Sequence, residues 1–206
     1  MFEITLDDLK LRLTGILSQR TTRRYSEKDR INALEIANLV VCGKLNLPEL
    51  FTEATVNFTA NSNTFDLPSD ILRFDPKEQT LCIDAKSYEN SLDYISAIDR
   101  KLIDLTSSHE PWGWYKKGSK GYLSSPSDTN HTAILEYYRK PASLETEIVI
   151  PTAYANIIAW WGAMEILSPT NPNRPAVEKE AINKLNELIH YIEVQGADNQ
   201  QDYITL

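Results

Sequence analysis

The chain has 206 residues, 42% hydrophobic and 24% charged, which is enough apolar material for one folded domain or a domain carrying an insertion, and too much for global disorder. Its formal net charge of -8 argues against a protein whose main task is to grip nucleic acid, because that affinity comes from Lys and Arg neutralising phosphates. Apolar runs such as 157–161 and 39–42 are far shorter than a membrane span, the N-terminus lacks the pattern of a secretory leader, and two cysteines, Cys42 and Cys82, cannot organise a disulfide scaffold.

In chain order, Thr5 followed by Asp8 is an N-cap pattern, and Leu6, Leu9, Leu13, Ile16 and Leu17 then recur at helical spacing, predicting an amphipathic helix that ends near Gln19. Ser26 with Asp29 repeats the capping logic ahead of a second apolar stripe of Ile31, Leu34, Ala37, Val40 and Val41, with Gly43 as the stop. These two helices are expected to lie antiparallel. From Ala54 the period changes to two: Val56 and Phe58, a polar turn at Asn61, Ser62 and Asn63, then Phe65 and Leu67 predict a β-hairpin. Further strands are expected at 80–84, 112–116, 121–125 and 132–138, with a short helix around 97–105.

Period 3.6 returns after Pro151, with Tyr154, Ile157, Ile158, Trp161, Ala163, Met164 and Leu167 apolar, until the proline-rich stretch 168–175 breaks the pattern. A last helix is expected over 176–195, with Gly196 as its stop. The expected class is therefore α+β: a helical bundle formed by the N- and C-terminal helices, with an inserted β-rich sheet or small barrel. Residues 1–53 and 148–196 supply the bundle, 54–147 the insertion, and 197–206 a tail with an apolar tip.

No nucleophile with a base, metal cluster or phosphate loop has usable spacing, so the chain is not expected to be an enzyme or to carry a cofactor or metal. His109, His131 and His190 lie far apart in sequence, and the seven glycines form no GxxxxGK or GxGxxG pattern. Asp66 and Asp70 flank Pro68 and read as turn and cap residues. The abundance of carboxylates leaves a hydrolase in the β region as a distant reading, which requires two converging carboxyls, one of them shifted in pKa. Trp112, Trp114 and Tyr115, followed by two lysines, fit one packed face of a sheet. Their other reading is a stacking platform for a carbohydrate or receptor. Arg20, Arg23 and Arg24 are a small basic cluster suited to an acidic partner or a DNA phosphate.

The run Thr64-Phe65-Asp66-Leu67-Pro68-Ser69-Asp70-Ile71-Leu72-Arg73 resembles a recurring signature of the head-to-tail adaptor, or connector, proteins of tailed bacteriophages. Other pieces stand in the same order: the helix at 29–41, Glu110-Pro111-Trp112, Gly121-Tyr122-Leu123, Leu135-Glu136-Tyr137-Tyr138-Arg139-Lys140-Pro141, and Ile150-Pro151 before an apolar helix. The resemblance implies a virion protein assembled in the host cytoplasm. It implies a homo-oligomeric ring, usually dodecameric, between portal protein and tail or nozzle protein, with DNA passing through the lumen without sequence-specific binding, and no membrane. By the same resemblance the C-terminal Tyr203, Ile204 and Leu206 are candidates for gripping the portal. A closed ring needs two different patches that meet; Ile157, Trp160, Trp161, Leu188 and Ile192 are the expected interface residues.

Overall fold

The structure is a computed structural model that describes residues 4–74, 81–83, 91–96, 100, 103 and 111–201, with side chains described as far as residue 195. It divides into two compact units: Met1–Leu50 together with Lys140–Leu206, and Phe51–Arg139.

The first unit holds the four α-helices of the described residues: α1 (Leu6–Arg20), α2 (Glu27–Cys42), α3 (Asn156–Ile166) and α4 (Arg174–Gln201). Both N-terminal caps form as expected. The Asp8 amide donates to Thr5 Oγ1 at 3.2 Å, and the Thr5 amide donates back to Asp8 Oδ2 at 2.9 Å. Ser26 and Asp29 repeat this reciprocal box at the start of α2, so each helix start satisfies two otherwise orphaned donors. α3 packs against each of the other three helices. Its sequence explains why: Ile157, Ile158, Ala159, Trp161, Gly162 and Ala163 are all buried, and a helix apolar on nearly every side needs neighbours around it. Gly162 lets α2 come close, since a Cβ there would stand 3.3 Å from Leu34 Cδ2.

Several helical expectations need correction. The first turn of α2 meets the middle of α1, through Glu27 on Lys10 and Arg30 on Thr14, so the two helices cross there and do not lie as an antiparallel pair. Pro151 leads into a single 3-10 turn, Thr152–Tyr154, before α3 begins. α4 starts at Arg174 and runs through Gly196 to Gln201. A glycine inside a helix costs only about 1 kcal/mol relative to alanine, and no proline follows to enforce a stop.

The second unit is a curled sheet of eight described strands: β1 (Phe51–Phe58), β2 (Thr64–Asp66), β3 (Ile71–Arg73), β4 (Leu81–Ile83), β5 (Ser91–Tyr94), β6 (Gly113–Lys117), β7 (Lys120–Leu123) and β8 (His131–Arg139). Their order is β1-β8-β4-β5-β6-β7-β2, with β3 also on β8. The expected hairpin of β1 with β2 is not a ladder: β1 pairs with β8 from Phe51↔Tyr138 to Phe58↔His131, and β2 pairs with β7. The turn at 59–63 is present, and it links the first and last strands of the order. The sheet therefore bends round on itself into a nearly closed barrel. The helix expected at 97–105 lies mostly outside the described residues.

Alternation along the strands sends Val56, Phe58, Phe65, Leu81, Leu123, Ala133 and Leu135 inward around Trp114, as a half-buried sheet requires. Trp114 is fully buried and meets Phe74 and Tyr94 edge-on at 5.2 and 5.1 Å. Its indole N–H has no hydrogen-bond partner among the described residues. Gly121 lies opposite Phe65 in the β2–β7 ladder; the Phe65 ring occupies the space a Cβ would need.

Near the end of β8, the buried Tyr137 hydroxyl donates to Asp70 Oδ1 at 3.0 Å. Burial, and then the bond to Asp70, push its phenol up to about 12. A raised folded-state value means the neutral phenol is favoured by folding. This stabilisation is complete below the unfolded value of about 10 and is lost as pH rises through about 12. In an alkaline titration followed by tyrosinate absorbance, Tyr137 is expected to ionise later than an unperturbed tyrosine, and Tyr137→Phe to remove that late step. An unchanged titration in the variant would contradict the buried pair.

Candidate interaction surface

The two halves of α1 carry opposite charge environments. At its N-terminal end, α1, α2 and the loop before α3 line a groove of about 740 Å³ that includes Asp7, Lys10, Glu27, Glu145 and Glu147. Lys10 is already engaged, with its Nζ 2.6 Å from Asp7 and 2.9 Å from Glu27. Those bonds raise the lysine's pKa, and the bond from Lys10 lowers that of Glu27. The loop is held from α2: Glu35 Oε1 accepts from the Ser143 hydroxyl at 2.8 Å and the Leu144 amide at 3.0 Å. Glu145, which lines the groove, is exposed.

Toward the other end of α1, a groove of about 390 Å³ is lined by Thr14, Leu17, Ser18, 21–25 and Arg30. It contains three arginines, Arg23, Arg24 and Arg30, and no carboxylate. The Arg23 guanidinium lies 5.3 Å from the Tyr25 ring centre. Arg30 donates from Nη1 to Thr14 Oγ1 at 2.6 Å, while its buried Nε–H has no acceptor among the described residues. The basic cluster read from sequence is thereby divided: Arg20 lines a different groove, with Thr21, Thr22 and 171–173, and Arg30 takes its place beside Arg23 and Arg24. Sequence reasoning missed Arg30 because only the crossing of α2 over α1 brings it there.

Of the residues expected at a subunit interface, Ile157 and Leu188 are fully buried within the helical unit and Trp161 nearly so, its indole N–H donating to the Ala181 carbonyl at 3.2 Å. Trp160 and Ile192 are part-exposed. Tyr203, Ile204 and Leu206 lie outside the described residues. Larger apolar exposures, not expected from sequence, occur at Leu11 on α1, Ile36 and Leu39 on α2, and Ile182 and Val194 on α4.

In the strand unit, the tryptophan-rich run divides by period two: Trp112 is 56% exposed and Trp114 0%. Tyr115 stacks on Tyr122 at 5.2 Å with Arg100 over its ring, so the run does not form one outward platform. Asp70 serves Tyr137, and Asp66 faces Lys120 at 3.6 Å. Among the described residues, no three His, Cys, Asp or Glu side chains converge as a metal site would require. The displaced carboxyls Asp8, Glu27 and Asp29 are all lowered, chiefly by hydrogen bonds from Thr5, Lys10 and Ser26, whereas an acid catalyst needs a raised value. Cys42 is pushed up to about 12 by burial, with the Glu147 charge adding to it, so its thiolate is scarce at neutral pH. No helix among the described residues is long and apolar enough to cross a membrane.

Segregated charge and exposed apolar side chains on a helical scaffold are the attributes of a subunit that works by contact with other protein surfaces. The family model of the SU10 adaptor protein matches residues 4–203, and the chain belongs to that family of phage head-to-tail adaptors. It is a structural component of a virion. No curated protein matches it.

Proposed function

We propose that the chain forms a closed ring beneath the portal, joins it to the tail, and leaves a lumen through which DNA passes. The family match across residues 4–203 carries this reading. The net charge of -8 supports it, because an acidic wall repels a duplex and lets it slide. In this reading the four helices act as one bundle-like platform, the tip residues Tyr203, Ile204 and Leu206 dock on the portal, and part-exposed Trp160 and Ile192 border the neighbouring subunit. Ring symmetry follows the portal's, and a dodecamer is the expected count.

The test is mass photometry of the purified chain, alone and mixed with the portal protein of its own phage. A portal-sized particle that gains the mass of a full ring is the expected result. A chain that stays monomeric and ignores the portal would overturn the assignment.

A further inference from the structure

The two charged grooves beside α1 are chemically complementary. They adjoin at the first turn of α2, where Arg30 helps to lower the pKa of Glu27, but their far ends lie too far apart along α1 for one groove to close on the other within one subunit. Asp7 and Ser18, one at each groove, are separated by roughly 16 Å along the axis at 1.5 Å per residue. The acidic groove has Asp7, Glu27, Glu145 and Glu147 against a single Lys10 that is already bonded to two of them. The basic groove is lined by three arginines and no carboxylate, with Asp29 near Arg23 and Glu27 near Arg30 at its border, so Arg24 is the arginine furthest from either carboxylate.

We propose that the occupant of the basic groove is a second copy of this chain, which presents the exposed Glu27 and Glu145 of its acidic groove to Arg23, Arg24 and Arg30. The inference rests on the ring reading above and specifies the contact that reading needs. Two different patches that meet make a heterologous interface, and such an interface generates a ring when its rotation closes. Duplex DNA is the other ligand three arginines could bind. The chain's net charge of -8 opposes it and does not oppose a local contact between patches of opposite sign.

Charge reversal tests this. R23E/R24E makes the basic groove acidic, and E27K/E145K makes the acidic groove basic. Arg23, Arg24, Glu27 and Glu145 are all exposed, so both variants are expected to keep the fold, checked by thermal melting and circular dichroism. Each alone is expected to lose ring formation on the portal by about tenfold or more at low salt, the factor equivalent to 1.4 kcal/mol. An equimolar mixture is expected to restore it, because each reversed groove then finds a reversed partner. Folded variants that both assemble like the parent, or a mixture that does not recover, would overturn the contact while leaving the ring reading intact. Variants that form normal rings but retain less duplex DNA would reassign the arginines to phosphate. A parent chain that never forms a ring would overturn the ring reading first, and this contact with it.

Discussion

Gly121→Val is expected to destabilise the strand unit by about 2–3 kcal/mol, the upper part of the range for overpacking a filled core. The cause is local. Phe65 lies across from Gly121 in the ladder, and its ring fills the space a side chain at 121 would take. That ring has little room to withdraw, because the buried rings of Phe58 and Trp114 stand 4.9 and 5.9 Å from it. Valine's better strand propensity offsets no more than about 1 kcal/mol of this. Urea unfolding followed by Trp fluorescence measures the loss. Phe65→Leu in the same chain should return part of it, giving non-additivity of at least about 0.5 kcal/mol. Strictly additive losses would show that the Phe65 ring is not what the valine meets.

Gly162→Leu is the second substitution expected to have a large effect, in the other unit. Already at Cβ the new side chain stands 3.3 Å from Leu34 Cδ2 and 3.5 Å from the Ala33 carbonyl oxygen. The atoms beyond Cβ have only the backbone of α2 or the buried Leu34 to displace. A loss of about 2–3 kcal/mol is expected, with α3 pushed off α2. Gly162→Ala is the control: one methyl meets the flexible end of Leu34, and replacing a mid-helix glycine returns up to about 1 kcal/mol of helix propensity. Its net effect should fall within about 1 kcal/mol of zero. Thermal unfolding that finds the leucine variant as stable as the alanine one would rule out close packing of α2 on α3 at this position.

Both capping boxes could be read from the chain because Thr5 with Asp8, and Ser26 with Asp29, are complete within four residues; nothing distant is needed to form them. The same locality made strand segments visible as alternation from Ala54 and at 112–116 and 132–138, where β1, β6 and β8 are found within a few residues. Strand partners were not visible, since alternation records which face is buried and says nothing of the neighbour. The run from Val56 to Leu67 looked like a hairpin, yet its two strands lie at opposite ends of the sheet order and each pairs with a strand far along the chain. Gly196 was misread for a related reason: its cost is small beside whatever favours continuing α4, and sequence gives only the cost.

The candidate surface was legible only in part. Arg23 and Arg24 stood out as neighbours in sequence. Arg30 did not, nor did the acidic groove, whose Glu27 and Glu145 come from segments over a hundred residues apart. Ile157 and Leu188 were expected at an interface on apolarity alone, but apolarity does not distinguish a residue buried in its own subunit from one reserved for a neighbour.

The unbroken span Phe51–Arg139 interrupts a unit whose helices come from both sides of it. During synthesis α1 and α2 emerge first, with Leu9, Leu13, Leu34 and Val41 lacking α3, and the ladders of β1, β3 and β4 wait for β8. Pairing of Phe51 with Tyr138 then clasps the two ends of that span. The late helices α3 and α4 inherit a short-circuited chain, spared the roughly 4 kcal/mol that closing so long a flexible loop would cost by the (3/2)RT ln n scaling. Order of emergence thus makes the curled sheet a clasp for the helices, and a variant that weakens the sheet should slow completion of the helical unit on the ribosome as well as loosen itself.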